Sequence, residues 1–122
     1  MPRYADGFVI VVPKKNLKAY EAISKKAGKV WKEYGALEYL ECVGDDLNMK
    51  FGTPFPKLAK TKPNEVVVFS WILYKSRAHR DKVNAAVMKD PRMAKLMDKT
   101  KYPELFDTKR MAYGGFATIV EG

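Results

Sequence analysis

A chain of 122 residues with 47% hydrophobic and 30% charged side chains has the makings of one globular domain, spanning residues 1–122. No apolar run reaches the roughly 18–20 residues that cross a bilayer, and the opening MPRYADGF carries neither the basic nor the apolar part of a secretory signal. The formal charge is +9, yet only five of the 23 basic residues are arginine, so the charge argues first for solubility and weak attraction to polyanions, with an RNA-binding module working through the basic surface as the alternative reading.

The first apolar segment, FVIVV (8–12), is β-branched and stops at Pro13, which predicts a strand. LKAYEAISKKAGKVWKEY (17–34) sets Leu17, Tyr20, Ile23, Ala27, Val30, Trp31 and Tyr34 at three- and four-residue steps. Lys18, Lys25, Lys29 and Lys32 lie opposite, and Gly35 supplies a stop. LEYLECV (37–43) alternates and carries Glu38 and Glu41, as expected of a strand near a sheet edge. A loop of about twenty residues follows, a length that usually signals function or disorder. It holds Phe51, Pro54, Phe55 and Pro56.

EVVVFSWILY (65–74) is the most apolar strand and is expected in the sheet centre. Ser76 suits the N-cap of a second helix reaching about Met88. Asp90-Pro91 opens a short helix with Met93, Leu96 and Met97. RMAYGGFATIV (110–120) makes a last strand, interrupted at Gly114-Gly115 by a bulge or a close approach. The order β-α-β-β-α-β is the ferredoxin-like α+β plan, a four-stranded antiparallel sheet with its first and third strands central.

Two helices cover one face of such a sheet. Phe8, Ile10 and Val12 alternate with Val9 and Val11, and Val66, Val68 and Ile72 alternate with Val67, Phe69, Trp71 and Leu73, so both faces are apolar. Leaving one in water forfeits about 1.5–3 kcal/mol per large side chain, and a twofold homodimer through the bare face is the simplest remedy. RNA-recognition domains share the topology and leave the sheet open for base stacking. EVVVFSWI lacks the basic residue and glycine of their third-strand pattern.

His79 is the sole histidine. It falls in the first turn of the second helix on a stripe with Val83, Ala86 and Val87, which aims it toward the sheet as an acid/base candidate. The plainer alternative is a hydrogen-bonded structural histidine. Trp71 and Trp31 carry the polar-tipped rings of a ligand pocket, or are core. Cys42 is the only cysteine, so no intramolecular disulfide forms and a reducing cytoplasm is the expected location. Glu38, Glu41, Asp45 and Asp46 lack calcium-loop spacing, and one histidine with one cysteine excludes a structural zinc site. Gly114-Gly115 lacks the lysine of a phosphate loop. The sequence thus predicts neither metal nor cofactor.

Several blocks together resemble one family: YADGFVIVVPKKNL, VWKEYGALEYLECVGDD, EVVVFSWILYKSRAHRDKVNAAVMKDPRM and KRMAYGGF. They are similar to the YbaA-like family of small bacterial proteins, domain of unknown function 1428, which looks like a member of the dimeric α/β-barrel superfamily. That superfamily includes cofactor-free monooxygenases with pockets between helices and sheet. The resemblance implies a small aromatic or carbonyl-bearing ligand there. His79 would act as acid/base, Trp71 would wall the pocket, Arg110 would hold an anionic or carbonyl oxygen, and Trp31 and Tyr113 complete the ligand-binding set.

Overall fold

The computed structural model describes residues 2–101 and 104–122. Its sheet consists of β1 (Tyr4–Pro13), β2 (Glu38–Val43), β3 (Glu65–Tyr74) and β4 (Ala112–Ala117). They are ordered β2-β3-β1-β4, and every neighbouring pair is antiparallel. The helices are α1 (Leu17–Glu33), the short α2 (Phe55–Leu58), α3 (Arg77–Lys89) and α4 (Pro91–Leu96). The ferredoxin-like plan, with β1 and β3 central and β2 at an edge, is the one the sequence predicts.

Local chemistry sets the helix ends. Gly35 closes α1 at φ +112°, a conformation that favours glycine. Its N–H donates to Lys32 O while the Ala36 N–H reaches back to Trp31 O. Ser76 Oγ accepts the His79 N–H at 3.1 Å to start α3. Asp90 Oδ1 accepts the Arg92 N–H at 2.8 Å to start α4, with Pro91 in the first turn.

Two strands depart from the expected limits. β1 begins at Tyr4, four residues before the apolar run, because Asp6 has a buried ionic partner and so tolerates a place in the sheet at 1% exposure. β4 is confined to Ala112–Ala117 instead of 110–120. Arg110 belongs to a 3-10 turn whose Asp107 carboxylate accepts the Lys109 N–H, and beyond Ala117 the chain turns off with Thr118 N–H bonded to Arg3 O. Gly114 and Gly115 pair in regular register with Gly7 and Asp6, so there is no bulge. Gly115 is a close approach: a Cβ there would overlap the Tyr4 ring and hydroxyl.

α1, α3 and α4 cover one sheet face. Ala27, Val30, Ile72, Tyr74, Val83 and Val87 form one core cluster beneath them, with Met93 of α4, and Ile10, Val12, Tyr20 and Val68 form the next. The other face is not wholly bare. Ala59 and Leu47 of the long loop pack on Val9, Val11 and Val67, burying Val11 completely. What stays open is the remainder, with Phe69 at 44%, Leu40 at 39% and Phe116 at 62% exposure.

Candidate functional site

Between sheet and helices lies a cavity of about 180 Å³, lined among others by Phe8, Tyr20, Trp31, Tyr39, Glu41 and Ser70. Outside it, between the first turns of α1 and the end of β2, runs a groove of about 550 Å³ with Leu17, Ser24, Lys25 and Val43 in its walls. Tyr20, Tyr39 and Glu41 line both spaces, so these three side chains stand at the boundary between them.

A hydrogen-bonded group forms that boundary. The Tyr20 hydroxyl lies 2.8 and 2.9 Å from the two Glu41 carboxylate oxygens, as donor. Ser24 Oγ donates to the same carboxylate and sits 2.9 Å from the Tyr39 hydroxyl. The helix supplies Tyr20 and Ser24 one turn apart, and the strand supplies Tyr39 and Glu41 two residues apart, which puts each pair on one side of its element. Gly28 completes the fit, since a Cβ on it would lie 2.7 Å from two Tyr39 ring carbons. Burial pushes the Tyr39 hydroxyl up to about 12, with the Glu41 charge adding to the effect. Burial and then Glu41 raise Tyr20 further still. Both phenols are therefore neutral donors at physiological pH, facing a carboxylate.

A second polar group fills the other end of the helix–sheet layer. Arg80 donates from one Nη to Asp6 Oδ1 at 2.9 Å and to the Tyr113 hydroxyl at 3.2 Å, and its guanidinium stacks 4.8 Å over Tyr4. Asn84 Nδ2 reaches Asp6 Oδ2 at 3.4 Å. Asn84 Oδ1 accepts from Trp31 Nε1 at 3.0 Å and from the Tyr74 hydroxyl at 3.0 Å. Trp31 thereby ties this network to the cavity wall. Burial raises Tyr74 above its ordinary range, with the Asp6 charge next in effect.

Of the residues singled out in the sequence, Trp31 lines the cavity. Tyr113 stacks on Phe8 at 4.8 Å, one layer removed. Trp71 lies on the opposite sheet face, across from Gly7, with its indole N–H on Glu38 at 3.2 Å. Strand alternation puts it there, since it shares a side with Phe69 and not with Ser70 and Ile72. Arg110 is held by Glu65 at 2.6 and 2.8 Å, by Asp107 and by Lys60 O, near the loop. His79 Nδ1 accepts the Lys75 N–H at 3.0 Å, its ring meets Tyr74 edge-on, and Nε2 abuts Gly35. It lines neither the cavity nor the groove. The structure does not bring His79, Trp71 and Arg110 together. Cys42 is exposed, and among the described residues no group of three or more His, Cys, Asp or Glu is placed to hold a metal ion.

The residues at the boundary between cavity and groove left a signal that a search for histidine passes over. Tyr20, Ser24, Ala27 and Trp31 share one helical stripe, so a hydroxyl interrupts an apolar face. Glu41 alternates in step with Tyr39 and Val43, which places a carboxylate on the helix-facing side of β2. Arg80 and Asn84 flank Val83 on the α3 stripe in the same manner.

The four-stranded antiparallel sheet with helices on one side is shared with solved structures of ferredoxin-like α+β proteins. A Bacteriodes thetaiotaomicron protein assigned provisionally to the antibiotic biosynthesis monooxygenases superposes with a TM-score of 0.58 at 14% identity, covering 99% of this chain and 93% of its own. A NIPSNAP family protein with unknown function from Agrobacterium tumefaciens gives 0.56 at 15% identity over 96% and 88%. The family model "Protein of unknown function (DUF1428)" matches residues 3–107, and the chain belongs to that family. Uncharacterized protein YbaA of Escherichia coli K12 is 42% identical over 119 residues, 98% of both chains, and the Shigella flexneri protein matches equally well. Among the described residues no helix is long and apolar enough to cross a membrane.

Proposed function

We propose that the protein binds a small molecule with a single aromatic or carbonyl-bearing ring in the helix–sheet cavity, with its oxygen at the Tyr20–Glu41–Tyr39 group. The observation that carries this reading is a cavity of about 180 Å³ that shares three polar side chains with an outer groove. An apolar cavity of about 150 Å³ admits benzene, so the size suits one ring. Phe8, Ile72 and Trp31 offer it apolar and aromatic walls. A ring carbonyl accepts from a tyrosine hydroxyl, whereas a ring hydroxyl donates to Glu41. For a cofactor-free oxygenation, the demanding first step is loss of that ring proton, and Glu41 is the acceptor within reach. His79, with Nδ1 occupied by a backbone N–H, keeps a structural part.

A thermal-shift screen of monocyclic phenols and quinones tests the site. Stabilisation by a hit should disappear in Tyr39→Phe combined with Glu41→Gln and persist in His79→Ala. Loss in His79→Ala alone would return the site to the histidine.

The reading includes a homodimer. The open part of the outer sheet face is a shallow apolar depression floored by Gly7 and Gly114 and walled by Trp71 and Phe116, a surface that a second copy of the chain would cover. Sedimentation at micromolar concentration should give a dimer, and Phe116→Lys should shift it to monomer. A folded wild-type monomer would remove this part. An RNA-binding sheet gains no support from the same face, because the Trp71 indole is held by Glu38, a carboxylate that repels phosphate.

A further inference from the structure

The cavity and the groove differ in character, and the difference bears on what kind of molecule the site takes. The inner space has room for one ring and lies between sheet and helices. The outer space is about three times larger, some 550 against 180 Å³, with an apolar bed of Leu17, Val43 and Val68 and a rim of Glu21 and Lys25. Val43 is 49% exposed, although it points to the helix-facing side of β2 opposite the buried Val68. Val68 and Leu17 also pack in the helix-covered core, so Val43 is the bed side chain left open: α1 passes beside it and the long loop closes on the opposite face of the sheet. A single-ring ligand would leave Val43 in water.

Resting on the ring-binding reading above, we infer that the ligand is amphiphilic in shape: a monocyclic phenol or ring carbonyl compound bearing an apolar alkyl tail. The ring occupies the inner cavity and the tail lies along the groove over Leu17, Val43 and Val68. The boundary supports this division. Tyr20, Tyr39 and Glu41 face both spaces, and a molecule spanning the two lies across them. Its ring oxygen then takes the place of one of the Ser24, Glu41 and Tyr39 contacts it displaces, so no buried polar group is left without a partner. Glu41 sits on an edge strand and can give way without disturbing the centre of the sheet. The charged rim marks where the apolar length should end.

A homologous series of 4-alkylphenols, from methyl to octyl, reads this directly by ligand-observed NMR and calorimetry. Each methylene buried in the groove strengthens binding by up to about fourfold. The expected result is a climb of two- to fourfold per carbon that levels off once the groove is filled. Val43→Asp, at a half-exposed site on an edge strand, should flatten the climb and leave the Kd of 4-methylphenol unchanged. Val43→Thr, closer in shape, should reduce the slope and keeps the test open if the aspartate variant folds poorly. A flat series with 4-methylphenol still bound overturns the tail and spares the ring site. No binding by any member overturns the ring site and the tail with it. A climb that survives both Val43 variants places the tail elsewhere and overturns the inference.

Discussion

The two ends of the helix–sheet layer are built from similar side chains and come out opposite. At the Asp6 end, a carboxylate, a guanidinium, an amide and three hydroxyl or indole groups interlock around Arg80 and Asn84. At the Glu41 end, a carboxylate and three hydroxyls interlock as well, but a cavity lies on one side of them and a groove on the other. A buried polar cluster is thus no site by itself. Its partners at the first end are all protein groups held in place, whereas at the second the same kind of bond is bordered by room for something else.

The most forceful way to break the comparison is to disable the filled end. Asp6→Ala leaves the Arg80 guanidinium, 14% exposed, without its buried partner. Removing one member of such a pair typically costs about 3–5 kcal/mol, so chemical denaturation should show a loss of that order. Phenol binding by the protein that remains folded should be nearly intact. Loss of binding with stability retained would mean that the site lies at the Asp6 end.

Gly28→Ala sharpens the contrast from the other side. Alanine favours a helix over glycine by about 1 kcal/mol, yet here the added Cβ meets the flank of the Tyr39 ring and not its mobile tip. Overpacking of this kind costs about 1–3 kcal/mol. The net change in stability should therefore be about zero to 2 kcal/mol unfavourable, with phenol affinity falling at least tenfold as Tyr39 moves. Unchanged affinity would show that Tyr39 is not a wall of the site.

The gentlest probe concerns Arg110, which belongs to neither end. Its two hydrogen bonds to Glu65, followed by the Lys62 N–H, lower that carboxyl from 4.5 to about 2. A depressed carboxylate contributes stability that is present above its unfolded pKa and lost as pH falls through the folded one. Wild type should thus lose stability from about pH 4.5 toward pH 2, and Arg110→Gln should show a shallower acid slope in denaturant titrations across that window. Equal slopes would release Arg110 for a binding role.

Architecture was legible in the sequence because hydrophobic period, glycine stops and cap residues all act locally. Val66 to Leu73 alternate whatever lies around them, and Ser76 caps α3 through its own side chain, on the N–H only three residues on. The cluster at Glu41 was harder to see, since it depends on which face of β2 meets α1 and on a glycine one turn from Ser24. Asp6 escaped for a related reason. Beside Gly7 it reads as a turn, and only Arg80, 74 residues away, makes it a strand residue. The long loop hid most of its part as well, because its cover of Val11 is carried by Ala59 and Leu47 and not by its more prominent phenylalanines.

For the proposed ligand, one feature of the sheet bears on how quickly it would exchange. Glu41 and Tyr39 lie on β2, which has β3 on one flank and no strand on the other. Outward breathing of β2 would open the boundary between cavity and groove while β1 and β3 stay paired in the middle. Amide protons along that outer margin should exchange with deuterium far sooner than those of Val68 or Ile10, at a rate that ligand residence times would track.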